Sequence, residues 1–193
     1  MNQKYFIVVL LALLCLASCK EEDNAIEEYA DWQAKNEAYF EEAYAKHVNG
    51  GSASFVLKRL TLSDTITVAQ AKHTDCILVD VLPSAAVSDG VSPIYTDTAC
   101  VHYRGMLIPS PSYPSGYQFD CSYQGTFDAA VAEPTELPVN GVVEGFALAL
   151  QHMHRGDYWR VTIPYQLGYG TTDSGTIPAY STLIFEIRLD DFY

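Results

Sequence analysis

One helix-like run, Val142 to Gly156 (VVEGFALALQHMHRG), lies between two blocks rich in β-formers, and that arrangement constrains the fold more than any other feature of the chain. Phe146, Ala149, Leu150 and Met153 recur at three- and four-residue steps, which places them on one face of a 3.6-residue helix. Such a face has to be covered, and the flanking blocks can cover it. Tyr158 to Pro164 (YWRVTIP) and Thr182 to Leu189 (TLIFEIRL) read as strands, from their β-branched and aromatic content and partial alternation. Gly156 provides a left-handed stop for the helix, and Arg155 puts a cation at the negative end of its dipole. The expected core is one helix packed on an antiparallel sheet.

Upstream, Ser54 to Leu62 and Asp75 to Leu82 show strand-like alternation on either side of Ser63 to Thr74, a loop or short strand. Thr98 to Leu107 (TACVHYRGML) is a further strand, whereas Ile108 to Gly116 (IPSPSYPSG) has three prolines and is expected to protrude as a loop. Pro83 to Pro93 is a small-residue loop containing Asp89-Gly90. With 193 residues, 49% of them hydrophobic, the chain has room for one globular domain and an appendage. Its formal charge of −13 would repel phosphate backbones, so no nucleic-acid partner is expected.

The appendage begins with Lys4 and an apolar run from Tyr5 to Ala17, the layout of a secretory signal and too short for a membrane span, which needs about 20 residues. Leu16-Ala17-Ser18-Cys19 resembles the bacterial lipobox, which implies cleavage before Cys19 and diacylglyceryl attachment to its sulfur. Lys20-Glu21-Glu22-Asp23 is similar to the lysine-plus-acidic export signal of surface lipoproteins in the Bacteroidetes group. A solvated spacer on a lipoprotein facing the periplasm is the other reading of those charges. Both place the protein in the cell envelope, lipid-anchored to the outer membrane. From Ile26 to His47 the Ala- and Glu-rich sequence, with Tyr29, Trp32, Phe40 and Tyr44 partly at helical spacing, is an amphipathic helix ended by Asn49-Gly50-Gly51. Its aromatic stripe is expected either on the following domain or on a second copy of the helix, as a homodimer. The expected organisation is thus a signal peptide (1–18), a tether (19–24), an extension of helix and strand (25–74) and a main domain (75–193).

Within the main domain a series of short motifs follows in order. They are Val101-His102-Tyr103-Arg104-Gly105, then Phe119-Asp120-Cys121-Ser122, then the stretch from Pro134 through Val142-Val143-Glu144-Gly145-Phe146, with Ala149-Leu150 and Met153. Leu167-Gly168-Tyr169-Gly170, Gly175-Thr176-Ile177-Pro178 and Thr182-Leu183-Ile184-Phe185 close the series. In this order and near this spacing they resemble the FKBP family of peptidyl-prolyl cis-trans isomerases, over about Asp75 to Tyr193. The resemblance implies an α+β fold, an FKBP-like half-barrel of about five antiparallel strands wrapped on one helix, with an N-terminal helical extension. It also implies proline-containing peptide or protein clients, a macrolide ligand for the same pocket and no cofactor.

The chemistry asked of such a site needs no metal or nucleophile. Rotation about an amide faces a barrier of about 18–20 kcal/mol. A dry apolar pocket favours the twisted amide, which has lost its resonance and is less polar than the planar form. Carried over residue by residue, the resemblance makes Phe146 the pocket floor, where the family usually has Trp, and Tyr103, Phe119, Val142, Val143, Ile177 and Phe185 the walls. Leu137 stands where an aromatic is common. Asp120 would orient the substrate or stabilise the twisted carbonyl carbon, and Tyr169 would donate its hydroxyl to a substrate carbonyl, as would the Val143 N–H. The smaller Phe146 and Leu137 favour a rival reading, a binding module or holdase with little catalysis. From spacing alone, Tyr103, Phe119 and Phe185 read as core and Asp120 as a turn cap.

No metal site is expected, since His152 and His154, two apart on a helix, point to different sides. Beyond Cys19 the cysteines are Cys76, Cys100 and Cys121, which allow one disulfide with a free thiol or three thiols.

Overall fold

The computed structural model describes residues 27–84 and 90–193. Cys19, the leader before it, the charged tether, Ile26 and part of the loop after Pro83 lie outside the described residues. The described chain runs α1 (Trp32–His47), β1 (Ser54–Lys58), β2 (Cys76–Val81), β3 (Thr98–Leu107), β4 (Gln118–Cys121), β5 (Thr135–Pro138), α2 (Glu144–Leu150), β6 (Tyr158–Ile163) and β7 (Leu183–Phe192). All seven strands form one sheet in the order β1-β2-β6-β7-β3-β4, with β5 also paired to β3. Every pairing is antiparallel. β3 is the hub: β7 runs along one side of it, while β5 takes Thr98 to Val101 and β4 takes Arg104 to Met106 on the other.

Strand alternation sorts the side chains into two faces. Val79 lies opposite Val161, Val161 opposite Phe185 and Phe185 opposite Gly105, so these share one face with Ile77, Ile163 and Ile187. α2 covers this face, and a Cβ on Gly145 would collide with Ile163, so helix and sheet approach as closely as they do because that residue is glycine. The opposite face carries Asp80, Arg160, Glu186 and Arg104 as successive cross-strand neighbours. α1 sits on that side, where His47 Nε2 is 3.1 Å from Asp80 Oδ1. The two helices therefore sandwich the sheet.

α2 is shorter than its sequence pattern. Val142 and Val143, being β-branched, stay extended ahead of it, and it ends at Leu150 with a turn through Gln151 to Met153. From Gly145 to Leu150 all its residues are buried, so it is enclosed rather than striped. His152 and His154 both fall after the helix, so their separation is that of a turn and not of a helix. Gly156 does adopt a left-handed φ of 87°, but it introduces β6 instead of capping α2, its N–H donating to Leu189 O at 2.7 Å. Arg155 correspondingly leaves the helix dipole, bonds Asp191 at 2.6 Å and lies 3.8 Å from the Phe192 ring centre.

Thr98–Leu107 is a strand throughout, as expected, and Ser54–Leu62 stops at Lys58, because the chain turns at Arg59 to Leu62. The segment between β1 and β2 contains two 3₁₀ turns, Val68–Gln70 and His73–Asp75. α1 starts at Trp32, preceded by Asp31 in the left-handed region, and its aromatic stripe is used within the chain. Trp32 Nε1–H donates to Ser181 Oγ at 2.8 Å, and Tyr44 OH donates to Val68 O at 3.3 Å. Cys76, Cys100 and Cys121 are free thiols, and burial pushes the Cys76 thiol up to about 11.

Candidate active site

Six separate pieces of chain meet at one cavity of about 170 Å³. β3 contributes Tyr103, β7 Phe185, β4 Phe119 and Asp120, β5 Leu137, the start of α2 Val142, Val143 and Phe146, and the loop between β6 and β7 Tyr169. The aromatic rings set each other's angles. Phe146 and Phe185 are 5.0 Å apart at 90°, Phe119 and Phe185 5.5 Å at 89°, and Tyr103 and Phe146 5.9 Å at 83°. These edge-to-face contacts leave each ring held by its neighbour, the geometry aromatic quadrupoles prefer.

Gly105 makes the cluster geometrically accessible. A Cβ there would sit 2.5 Å from the Phe119 ring and 2.7 Å from that of Phe185, so both rings lie across a bare stretch of β3. The register of β3 against β4 also shifts between Gly105 and Met106. Gly105 belongs to the Val101–Gly105 motif, which by itself does not mark it as part of the site. A glycine in a strand interior, which weakens the strand unless something approaches it closely, was the available signal.

Asp120 is the carboxylate of the pocket, and both its oxygens are engaged. Oδ2 accepts the Tyr103 hydroxyl at 2.7 Å and Oδ1 the backbone N–H of Cys121 at 2.8 Å. Tyr103 is therefore more than a wall. Burial, then the hydrogen bond to Asp120 and that carboxylate's charge, push its phenol well above the ordinary range. Burial and then the Asp120 charge also raise Tyr169 from its ordinary 10.0, so both hydroxyls keep their protons at neutral pH. Tyr169 is 41% exposed, free to meet a ligand at the rim. Its loop is braced by the Gly168 and Gly170 amides on Tyr165 O and by Tyr180 N–H on Gly170 O. The Val143 carbonyl accepts the Phe146 and Ala147 amides, while among the described residues no backbone acceptor takes the Val143 N–H.

Ile177 stands apart from the other expected wall residues. The loop pinches through reciprocal backbone bonds between Ser174 and Ile177, and the Ile177 side chain is buried in the core cluster without bordering the cavity. Among the described residues no group of three or more His, Cys, Asp or Glu is placed to hold a metal ion.

Residues 91–190 match the family model described as FKBP-type peptidyl-prolyl cis-trans isomerase, a span of just over half the chain. The chain belongs to the FKBP family. Among similar members, the FKBP-type 22 kDa peptidyl-prolyl cis-trans isomerase of Escherichia coli (strain K12) is 43% identical over 102 residues, covering 52% of this chain and 44% of that protein. The FKBP-type isomerase FkpA of Buchnera aphidicola subsp. Baizongia pistaciae is 30% identical over 156 residues, 79% of this chain and 55% of that one. The chain thus spans about half the length of these relatives. The crystal structure of FkpA from Escherichia coli superposes with a TM-score of 0.57 at 23% identity, covering 100% of this chain and 73% of that one. A peptidyl-prolyl isomerase from Pseudomonas syringae pv. tomato gives 0.54 at 24% identity, covering 82% and 93%. At that identity the likeness is one of fold, an α+β FKBP-like architecture of an antiparallel sheet with two helices.

Proposed function

We propose that the chain is a peptidyl-prolyl cis-trans isomerase that assists the folding of envelope or exported proteins. The observation that carries this is the ring cluster of Phe146, Phe185, Phe119 and Tyr103 around a small cavity whose one carboxylate, Asp120, is held on both oxygens. Proline enters the apolar cavity, with Phe146 as floor. The peptide bond before it twists there because the low-polarity walls penalise the planar, more polar amide relative to the twisted one. Asp120 orients the substrate or stabilises the carbonyl carbon, and the Tyr169 hydroxyl and Val143 N–H receive substrate carbonyls. No group has to move as a proton carrier, in keeping with tyrosines that stay protonated. A macrolide of the kind this family takes occupies the same cavity. It binds less tightly than to a Trp-floored relative, since each Å² of lost apolar contact weakens binding by about 25 cal/mol.

The anchor follows from Cys19, whose diacylglyceryl group holds the chain on the outer membrane, each buried methylene contributing roughly 0.8 kcal/mol. No helix among the described residues is long and apolar enough to cross a membrane. Cys19→Ala is expected to move the protein from the membrane fraction to the soluble one on fractionation. A variant that stays with the membrane overturns the anchor.

A protease-coupled assay with a proline peptide tests the activity. Acceleration that saturates with peptide supports the isomerase. Competition by the peptide with no acceleration gives the chain to the binding-module reading, to which the smaller Phe146 and Leu137 belong.

A further inference from the structure

A second and larger cavity, about 530 Å³, adjoins the proline pocket, and Val142 borders both. Ala147 and Leu148 of α2 form its apolar base, and Leu60 and Tyr95 stand over it from two different loops. Leu60 is 56% exposed and Tyr95 57%, so two large apolar side chains from different loops stand in water at this one place. Single exposed apolar residues need no explanation, whereas a group bordering a cavity marks a surface that something covers.

The charges of the cavity are already used. Arg59 grips Glu144 with two bonds, Nε to Oε1 at 2.9 Å and Nη2 to Oε2 at 2.5 Å, and its Nη1 reaches Asp75 at 3.1 Å. These bonds clamp the end of β1 to the start of α2 and so fix the two walls relative to each other. They also leave no unpaired charge from Arg59 or Glu144 to recruit an ionic ligand. What remains on offer is apolar area.

Resting on the isomerase reading of the neighbouring pocket, we infer that this groove is an extended client subsite. It takes an apolar side chain of the client polypeptide within a few residues of the proline. The occupant is set by continuity: Val142 borders both cavities, so a chain whose proline lies against it can run on into the groove, advancing about 3.3 Å per residue. Unfolded polypeptide is the substrate that presents leucine, phenylalanine or valine next to proline in water. The groove therefore discriminates unfolded clients from folded proteins and from short polar peptides, adding binding remote from the bond that rotates.

The test uses the full chain and two dodecapeptides with one X-Pro bond, identical except for Leu or Ser at the second and third positions on either side of the proline. Dissociation constants come from fluorescence anisotropy and catalytic efficiency from exchange NMR. The wild type is expected to prefer the Leu peptide five- to tenfold, and Leu60→Ser with Tyr95→Ala to reduce that ratio to near one. These residues are more than half exposed, and a melting curve confirms that the variant is folded. A wild type without the preference, or a variant that keeps it, overturns the proposal. So does sedimentation showing a wild-type dimer that the variant dissolves, since a second copy would then be the occupant. If neither peptide is isomerised, the activity reading falls and the anisotropy ratio alone decides the groove.

Discussion

Gly105 and Asp120 lie opposite each other across β3 and β4, and each shows how a single position governs the pocket. Gly105→Ala would drive a methyl group into two rings at once, a form of overpacking that costs about 1–3 kcal/mol. Its expected signature is a lower melting temperature together with a weakened macrolide complex, measured by calorimetry. Asp120→Ala and Tyr169→Phe should behave differently. If their contacts strengthen only as the amide twists, each lowers turnover about tenfold or more while peptide affinity changes little, because one positioned polar contact is worth roughly 1–3 kcal/mol. Equal losses in turnover and affinity would remove these roles. Phe185→Ala, by contrast, should cost about 3–5 kcal/mol of stability, since the ring is buried and packs on Phe119 and Phe146.

α1 belongs to the site although it touches none of its atoms. Asn36 is fully buried, and its side chain joins two elements, donating to Trp32 O at 2.7 Å and accepting the Thr182 N–H at 2.7 Å. Thr182 precedes β7 and ends the loop that carries Tyr169. Tyr165, at the start of that loop, donates to Glu37 of α1 at 3.3 Å. On the other side Glu28, just ahead of α1, accepts the Ser110 hydroxyl and, at 3.1 Å, the Ser112 N–H. These bonds hold its carboxyl below the usual range and tie down the proline-rich loop that leads to β4. Asn36→Ala leaves the Thr182 amide unpaired in the interior, at a cost of about 1–3 kcal/mol. Thermal melting should show the loss, and hydrogen exchange should show faster exchange in residues 165–182 than in the unchanged protein. Exchange equal to that of the wild type would mean that the loop is held from elsewhere.

At the scale of the whole molecule, the face of the sheet turned away from the pocket is a ladder of alternating charge centred on Glu186. That carboxylate is 4% exposed and accepts from Arg160 Nη2 at 2.7 Å, Tyr158 OH at 2.9 Å and Arg104 Nε at 3.0 Å. Burial pushes its pKa up, but the bonds from Arg160 and Tyr158 and the charge of Arg104 outweigh that and hold it below the ordinary 4.5. The sign follows: the unfolded chain binds this proton more readily, so the contribution is full above the ordinary value of 4.5 and is lost as pH falls through the lower folded value. Glu186→Gln should flatten the acid limb of a stability–pH curve. It should cost about 1–3 kcal/mol at neutral pH, because hydrogen bonds to a charge become hydrogen bonds to an amide. A variant with an unchanged acid limb would assign the acid sensitivity to other carboxylates.

How much could be read in advance differs between these scales. The sequence by itself determined that a helix lies against an antiparallel sheet, through the apolar run that holds Phe146, Ala149 and Leu150 and the β-branched blocks around it, because such local patterns survive without knowing any partner. The single stripe continuing to Met153 did not hold, since the helix is buried on all sides and Met153 follows it in a turn. Of the ten residues that motif order points to for the pocket, all but Ile177 border the cavity. Only the tertiary structure decided that α2 closes after Leu150, where the chain turns through Gln151 to Met153, although its apolar pattern runs on to Met153. It also decided that Tyr103 serves Asp120 as well as walling the pocket, that Gly105 is the bare patch on which two rings lie, and that α1 braces the Tyr169 loop. Each depends on residues brought together from distant positions, Asn36 with Thr182 or Gly105 with Phe185, and register across strands places such pairs while spacing along one strand does not.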